Sequence, residues 1–184
     1  MSPHARPGTN ELELDDRLIS QLRPAIDRLR DDLEPHPEMP PEGARRGRIL
    51  LLEETAEADV RTPAAAAYVA DALERPLFRL ELRSLHRPDD VAPSIAALLS
   101  AAGNVGAVTL LEQMDVLVPV GSRQQPVGHD PWAVQLTALA IREAVRAHPL
   151  PVIVAATSAG ALHPLLAREI DLSVSLGGEP IDDG

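Results

Sequence analysis

The chain has 184 residues, 45% apolar and 24% charged, which is enough for one domain with a buried core and ordinary for a globular protein. Its 17 basic residues stand against 28 acidic ones, and the net charge of −11 argues against a nucleic-acid phosphate binder. The absence of cysteine excludes disulfides, thiol nucleophiles and thiolate metal sites. Residues 1–8 read as a loose tail with no apolar signal core. A helix is expected from Thr9 or Asn10 to Leu33, where Leu14, Leu18, Leu22, Ile26, Leu29 and Leu33 recur every three or four positions. Thr9 or Asn10 would cap it, and Pro24 should kink or divide it. Residues 34–47 form a proline-rich linker.

From Arg48 the pattern changes to short apolar strands alternating with alanine- and leucine-rich helices. Arg48–Glu53 is a continuous apolar run, as a strand buried on both faces requires. Thr62 and Pro63 open a helix that reaches Glu74. Leu77–Leu82 alternates apolar and charged residues and predicts a more exposed strand. Ala92–Ala102 is a helix stopped by Gly103 and Asn104. A second buried strand covers Ala107–Leu111, and Asp130-Pro131 opens a helix reaching His148. Pro151–Ala156 is a third buried strand, and a short helix near Leu162–Arg168 leads to a last strand, Asp171–Leu176. Five strands separated by helices predict an α/β domain with a mostly parallel sheet covered on both faces. No stretch reaches the roughly 18 apolar residues of a membrane span, so the cytoplasm is the expected location.

All basic residues are arginine, which removes Schiff-base lysines and the lysine that holds nucleotide phosphates. Tyr68, Phe78 and Trp132 are the only aromatic residues and offer no stacking platform for bases. The proline and alanine content points to a GC-rich source. Six histidines, His4, His36, His86, His129, His148 and His163, lie apart from one another and read as solvated loop residues. Ser122, Ser158 and Ser173 lack a GxSxG setting. Asp89 and Asp90 read as a helix cap, and His129-Asp130-Pro131-Trp132 as a helix start. Arg45, Arg46 and Arg48 form the one dense basic patch, a solvated linker or a contact for an acidic partner.

Ligands of a parallel α/β sheet bind beyond the carboxyl ends of its strands. What occupies those ends between Arg48 and Pro180 resembles an AAA+ ATPase module in order and spacing. The resemblance implies a three-layer, P-loop-type sandwich with strand order 5-1-4-3-2, preceded by the N-terminal helix. It assigns residues 48–180 to the domain and residues 181–184 to a tail. The family's phosphate loop, GxxxxGK followed by Ser or Thr, falls on Ala56–Pro63, which reads AEADVRTP. No glycine is present there, and Thr62 stands where lysine belongs. Glu53, Glu54, Glu57 and Asp59 would repel a triphosphate by roughly a few kcal/mol per close pair.

Val108–Leu111 followed by Glu112, Gln113, Met114 and Asp115 resembles a Walker B strand, with Asp115 and Leu117 in register. Glu112 keeps the magnesium-binding carboxylate, but Gln113 replaces the general base and cannot accept a proton. Thr157 and Ser158 resemble the sensor segment, and Glu169 takes the arginine-finger position with reversed charge, beside Arg168. No helical lid follows within the chain. The resemblance with these departures implies a non-catalytic scaffold, adaptor or regulatory protein, a pseudo-ATPase without cofactor or metal. Its expected partner is a protein, either an active AAA+ ATPase or copies of itself, with no nucleic acid or membrane involved. The N-terminal helix is either a docking element or packed on the chain's own core, the latter slightly favoured. The alternative is an atypical site for ATP or ADP with magnesium, built on Arg61, Thr62 and Glu112.

Overall fold

The structure is a computed structural model that describes residues 14–33, 47–54, 61–82, 91–114 and 131–177. Expectations for the tails, the start of the first helix before Leu14, residues 34–46, the loop 55–60, Asp89 and Asp90, and 115–130 lie outside the described residues. His4, His36, His86, His129, Arg45, Arg46 and Ser122 fall there too.

The described elements are α1 (Asp16–Leu33), β1 (Ile49–Glu53), α2 (Arg61–Ala72), β2 (Leu77–Glu81), α3 (Val91–Val105), β3 (Val108–Glu112), α4 (Pro131–Ala147), β4 (Val152–Ala156), α5 (Pro164–Ala167) and β5 (Leu172–Ser175). A single 3-10 turn, Ala159–Ala161, precedes α5. The strands form one sheet in the order β2-β3-β4-β1-β5, which is the expected 5-1-4-3-2 read from the other edge. Every pairing is parallel, so the sheet is wholly rather than mostly parallel.

Alternation along the buried strands sends side chains to two cores. Leu50, Leu52, Val108, Leu110, Ile153 and Ala155 face α1 and α2, whereas Ile49, Leu51, Leu111, Val152, Val154 and Ala156 face α3 and α4. β2, at an edge, alternates between half-buried and exposed positions, as its charges predict.

The leucine stripe of α1 packs on the protein's own core: Leu22 and Leu29 are fully buried against the first face, beside α2 and β5. That stripe is therefore not available to a partner. Asp15 accepts a 2.7 Å hydrogen bond from the Leu18 amide through Oδ1, at the start of the described helix, Asp16–Leu33. Pro24 does not divide α1, which runs unbroken to Leu33 because its apolar face is held by the sheet.

Two helices end in Schellman motifs. After α3 the amides of Gly106 and Ala107 donate to the carbonyls of Gly103 and Ala102 at 3.4 and 2.9 Å. Gly106 carries the left-handed φ of 70°, so α3 runs through Gly103 and Asn104 instead of stopping there. After α2 the same pattern pairs Glu74 and Arg75 with Asp71 and Ala70, with Glu74 at φ 55°. Gly47 is fixed by space: a Cβ there would lie 1.8 Å from the Leu150 carbonyl oxygen.

Two histidines depart from the solvated-loop expectation. His148 and His163 are both buried. His148 sits where α4 turns into β4, with its ring beside Gly103 and no partner for Nε2 among the described residues. His163 caps α5, accepting from the Leu165 amide through Nδ1 at 3.2 Å, while its Nε2 lies 3.0 Å from Gln135 Oε1. Nδ1 as acceptor makes Nε2 the protonated nitrogen of a neutral ring. Burial lowers the pKa of both histidines below the ordinary value.

Candidate nucleotide-site edge

The carboxyl edge of the sheet gathers most of the residues marked by the sequence. Glu112 ends β3, Thr157 and Ser158 follow β4, Glu53 ends β1, and Glu54, Arg61 and Thr62 flank the phosphate-loop position. Because β4 lies between β3 and β1, Glu112 and the loop are two strand spacings apart, roughly 10 Å, with Thr157 and Ser158 between them. Geometry thus assembles the edge that a nucleotide site would use. The chemistry of its side chains is a separate matter.

Glu112 is 8% exposed and bound by Arg79, whose Nη2 lies 3.0 Å from both carboxylate oxygens and whose Nε lies 3.3 Å from Oε2. Register produces this pair, because Arg79 stands opposite Leu110 and Glu81 opposite Glu112, so that Arg79 and Glu112 emerge on one face of adjacent strands. A bidentate guanidinium occupies the lone pairs that a magnesium ion would need. Gln113 adopts a left-handed φ of 59°, uncommon outside glycine, and its buried Oε1 has no hydrogen-bond partner among the described residues.

At the loop position the Thr62 hydroxyl donates to Glu54 Oε1 at 2.8 Å, tying together the two ends of the segment that would wrap a phosphate. Thr62 lies within the first turn of α2, one residue inside the start, rather than serving as its cap. Arg61 is directed at the end of β5, with Nη1 3.3 Å from the Leu176 carbonyl oxygen. Thr157 and Ser158 are exposed, and the Ser158 side chain makes no capping bond to the turn that follows.

Glu169 is not brought to this edge. It precedes β5 at the amino edge, where it is 7% exposed and its Oε1 accepts from Arg142 Nε at 2.8 Å, with Arg146 Nε 3.8 Å from Oε2. The hydrogen bond to Glu169 raises the Arg142 pKa above its ordinary value. At this position the chain thus carries an internal carboxylate joining α5 to α4. Arg48, in the basic patch, is likewise paired internally with Asp32 at the end of α1, which raises its pKa. A contact between Arg48 and an acidic partner is not needed to explain it.

Sequence reasoning missed Arg79, Arg142, Arg146 and the Glu54–Thr62 bond. In the sequence Arg79 stands out only as a charge midway along a strand, which does not name its partner. Among the described residues no three histidine, aspartate or glutamate side chains are grouped to hold a metal ion. No helix among them is long and apolar enough to cross a membrane.

A five-stranded parallel sheet in this order, with helices on both faces, is the α/β fold of AAA+ ATPase modules. No family model matches the sequence, and none of the curated proteins matches it. Solved structures do match. RuvB of Thermotoga maritima, a Holliday junction branch migration motor, superposes with a TM-score of 0.52 at 15% identity, over 91% of this chain and 47% of that one. A point mutant of the same RuvB gives 0.53 at 15% identity, over 88% and 46%. The chain spans about half the length of these structures, and at this identity the likeness shows the fold.

Proposed function

We propose that the chain is a non-catalytic AAA+-like assembly protein, a scaffold, adaptor or regulator that works through protein contacts and has lost ATPase chemistry. The observation that carries this reading is the Arg79–Glu112 pair: the one carboxylate at the magnesium position is buried and held on both oxygens by a guanidinium. Gln113 beside it lacks the basicity to activate water, and the chain has no lysine to hold phosphates. Arg61, Thr62 and Glu112, the residues on which an atypical ATP or ADP site would rest, each have a partner within the chain.

On this reading no cofactor or metal takes part, and the protein acts in the cytoplasm. The net charge of −11 sets it apart from a DNA motor, so a nucleic acid is not among its partners. Its partner is a copy of itself or an active AAA+ ATPase that shares its fold.

Titration with ATP and ADP in the presence of magnesium, read by calorimetry, tests the reading. No saturable heat up to millimolar nucleotide and no phosphate release above background are expected. Stoichiometric binding with turnover would overturn it.

A further inference from the structure

Among the described residues, the outer face of α3 and of the first turns of α4 is uncharged. α3 contains no charged residue, yet Pro93, Ala96, Ala97, Ser100, Ala101, Asn104 and Val105 along it are exposed. On the neighbouring α4, Trp132 is 74% exposed, Leu136 61% and Leu139 41%, at the i, i+4, i+7 spacing that lines up one face of a helix. The charges of α4 are confined to its last turns, at Arg142, Glu143 and Arg146. By contrast, α1, on the other side of the sheet, carries charges along its whole length.

We propose that this face is where two copies of the chain pair, the large side chains of α4 on one protomer lying against the small residues of α3 on the other. The pairing rests on the assembly role proposed above and names its surface and first partner. Three observations favour a second copy.

First, one face carries both halves of the complementarity, with Trp132, Leu136 and Leu139 as projections and Ala96, Ala97, Ser100 and Ala101 as the flat ground beside them. A two-fold axis needs such a self-complementary patch. Second, charge permits it: two chains of net −11 repel, and they meet at least cost where both surfaces are uncharged. Third, the area is sufficient. Helices of 15 and 17 residues at about 1.5 Å per residue, lying about 9 Å apart, present a plate roughly 25 by 20 Å. That is about 500 Å² per protomer and about 1,000 Å² for the pair, which reaches the lower bound of a specific interface. The apolar centre with Arg142, Glu143 and Arg146 at one end also has the anatomy of a contact region with a polar rim.

Trp132 is the chain's one tryptophan and lies inside the patch, so its emission reports the pairing directly. Sedimentation of the full chain from low micromolar to near-millimolar concentration, with fluorescence read in parallel, is the test. The expected result is a shift from 19.7 kDa to twice that mass, accompanied by a blue shift of the emission and strengthened by added salt. Leu136→Glu and Ala97→Glu, both at exposed positions, should each keep the native circular dichroism and hold the chain monomeric with unshifted emission. A native chain that stays monomeric throughout, or a dimer that both variants leave intact, would overturn the proposal. Nucleotide calorimetry on the same samples separates the two ideas. A monomer that binds no ATP sinks the pairing alone, and a dimer that hydrolyses ATP sinks the non-catalytic reading alone.

Discussion

At the residue scale the decisive fact is what each carboxylate at a site position is bonded to. Glu112 and Glu169 are each bound to an arginine on a neighbouring element. Such pairs matter chiefly because breaking one strands the other charge. Arg79 is half exposed, so its own loss of hydration is modest, whereas Glu112 is buried. Arg79→Leu should therefore destabilise the fold by about 1–3 kcal/mol, the cost of an unpaired buried acceptor, read as a lower urea midpoint at unchanged slope. The double variant Arg79→Leu with Glu112→Leu should recover most of that loss. If it does not, the pair is not what holds β2 to the end of β3. Neither pair was legible from residue types alone, because the partners lie 33 and 27 positions apart in the chain. Register between β2 and β3 is the information that was missing for the first, and the packing of α5 on α4 for the second.

At the element scale the strands were legible almost to the residue, since a run such as Ile49–Glu53 can be apolar on both faces only in a covered parallel sheet. Helix ends were less so. Gly103 and Asn104 look like a stop, but the left-handed position that a Schellman motif requires falls three residues later, at Gly106. The stripe of α1 was plain, but a stripe says only that something covers it, and the sheet does.

The end of α2 offers a measurement at this scale. Glu74 holds the left-handed position that glycine fills at no steric cost, and a side chain there costs about 1 kcal/mol. Glu74→Gly should raise stability by about 0.5 kcal/mol after the added entropy of the unfolded chain is subtracted. A thermal midpoint that falls would mean that the Glu74 side chain makes a contribution larger than its strain.

At the scale of the whole molecule, charge and burial pull against each other as the pH changes. The chain is strongly acidic, with a pI near 4.9, so acidification from neutral pH relieves self-repulsion and on that account favours the folded state. His148 and His163 act in the opposite direction. Burial lowers their pKa below the ordinary 6.5, so between those lowered values and 6.5 the unfolded chain binds more protons than the folded one. Their contribution is complete above about pH 6.5 and is lost as the pH falls through the window beneath it. For His148 the loss is of desolvation alone, because its Nε2 has no partner among the described residues to stabilise either form. For His163 protonation also removes the acceptor that caps α5.

The two effects separate by difference. His148→Leu leaves the net charge of the folded protein near neutrality unchanged and removes one buried base. Between about pH 7.5 and pH 5.5 its thermal midpoint should rise relative to that of the native chain, with the gap opening below the ordinary histidine pKa. Parallel curves for the two proteins would show that His148 takes up its proton without opening the junction of α4 and β4, and that the pH response of the fold is set by its surface charge.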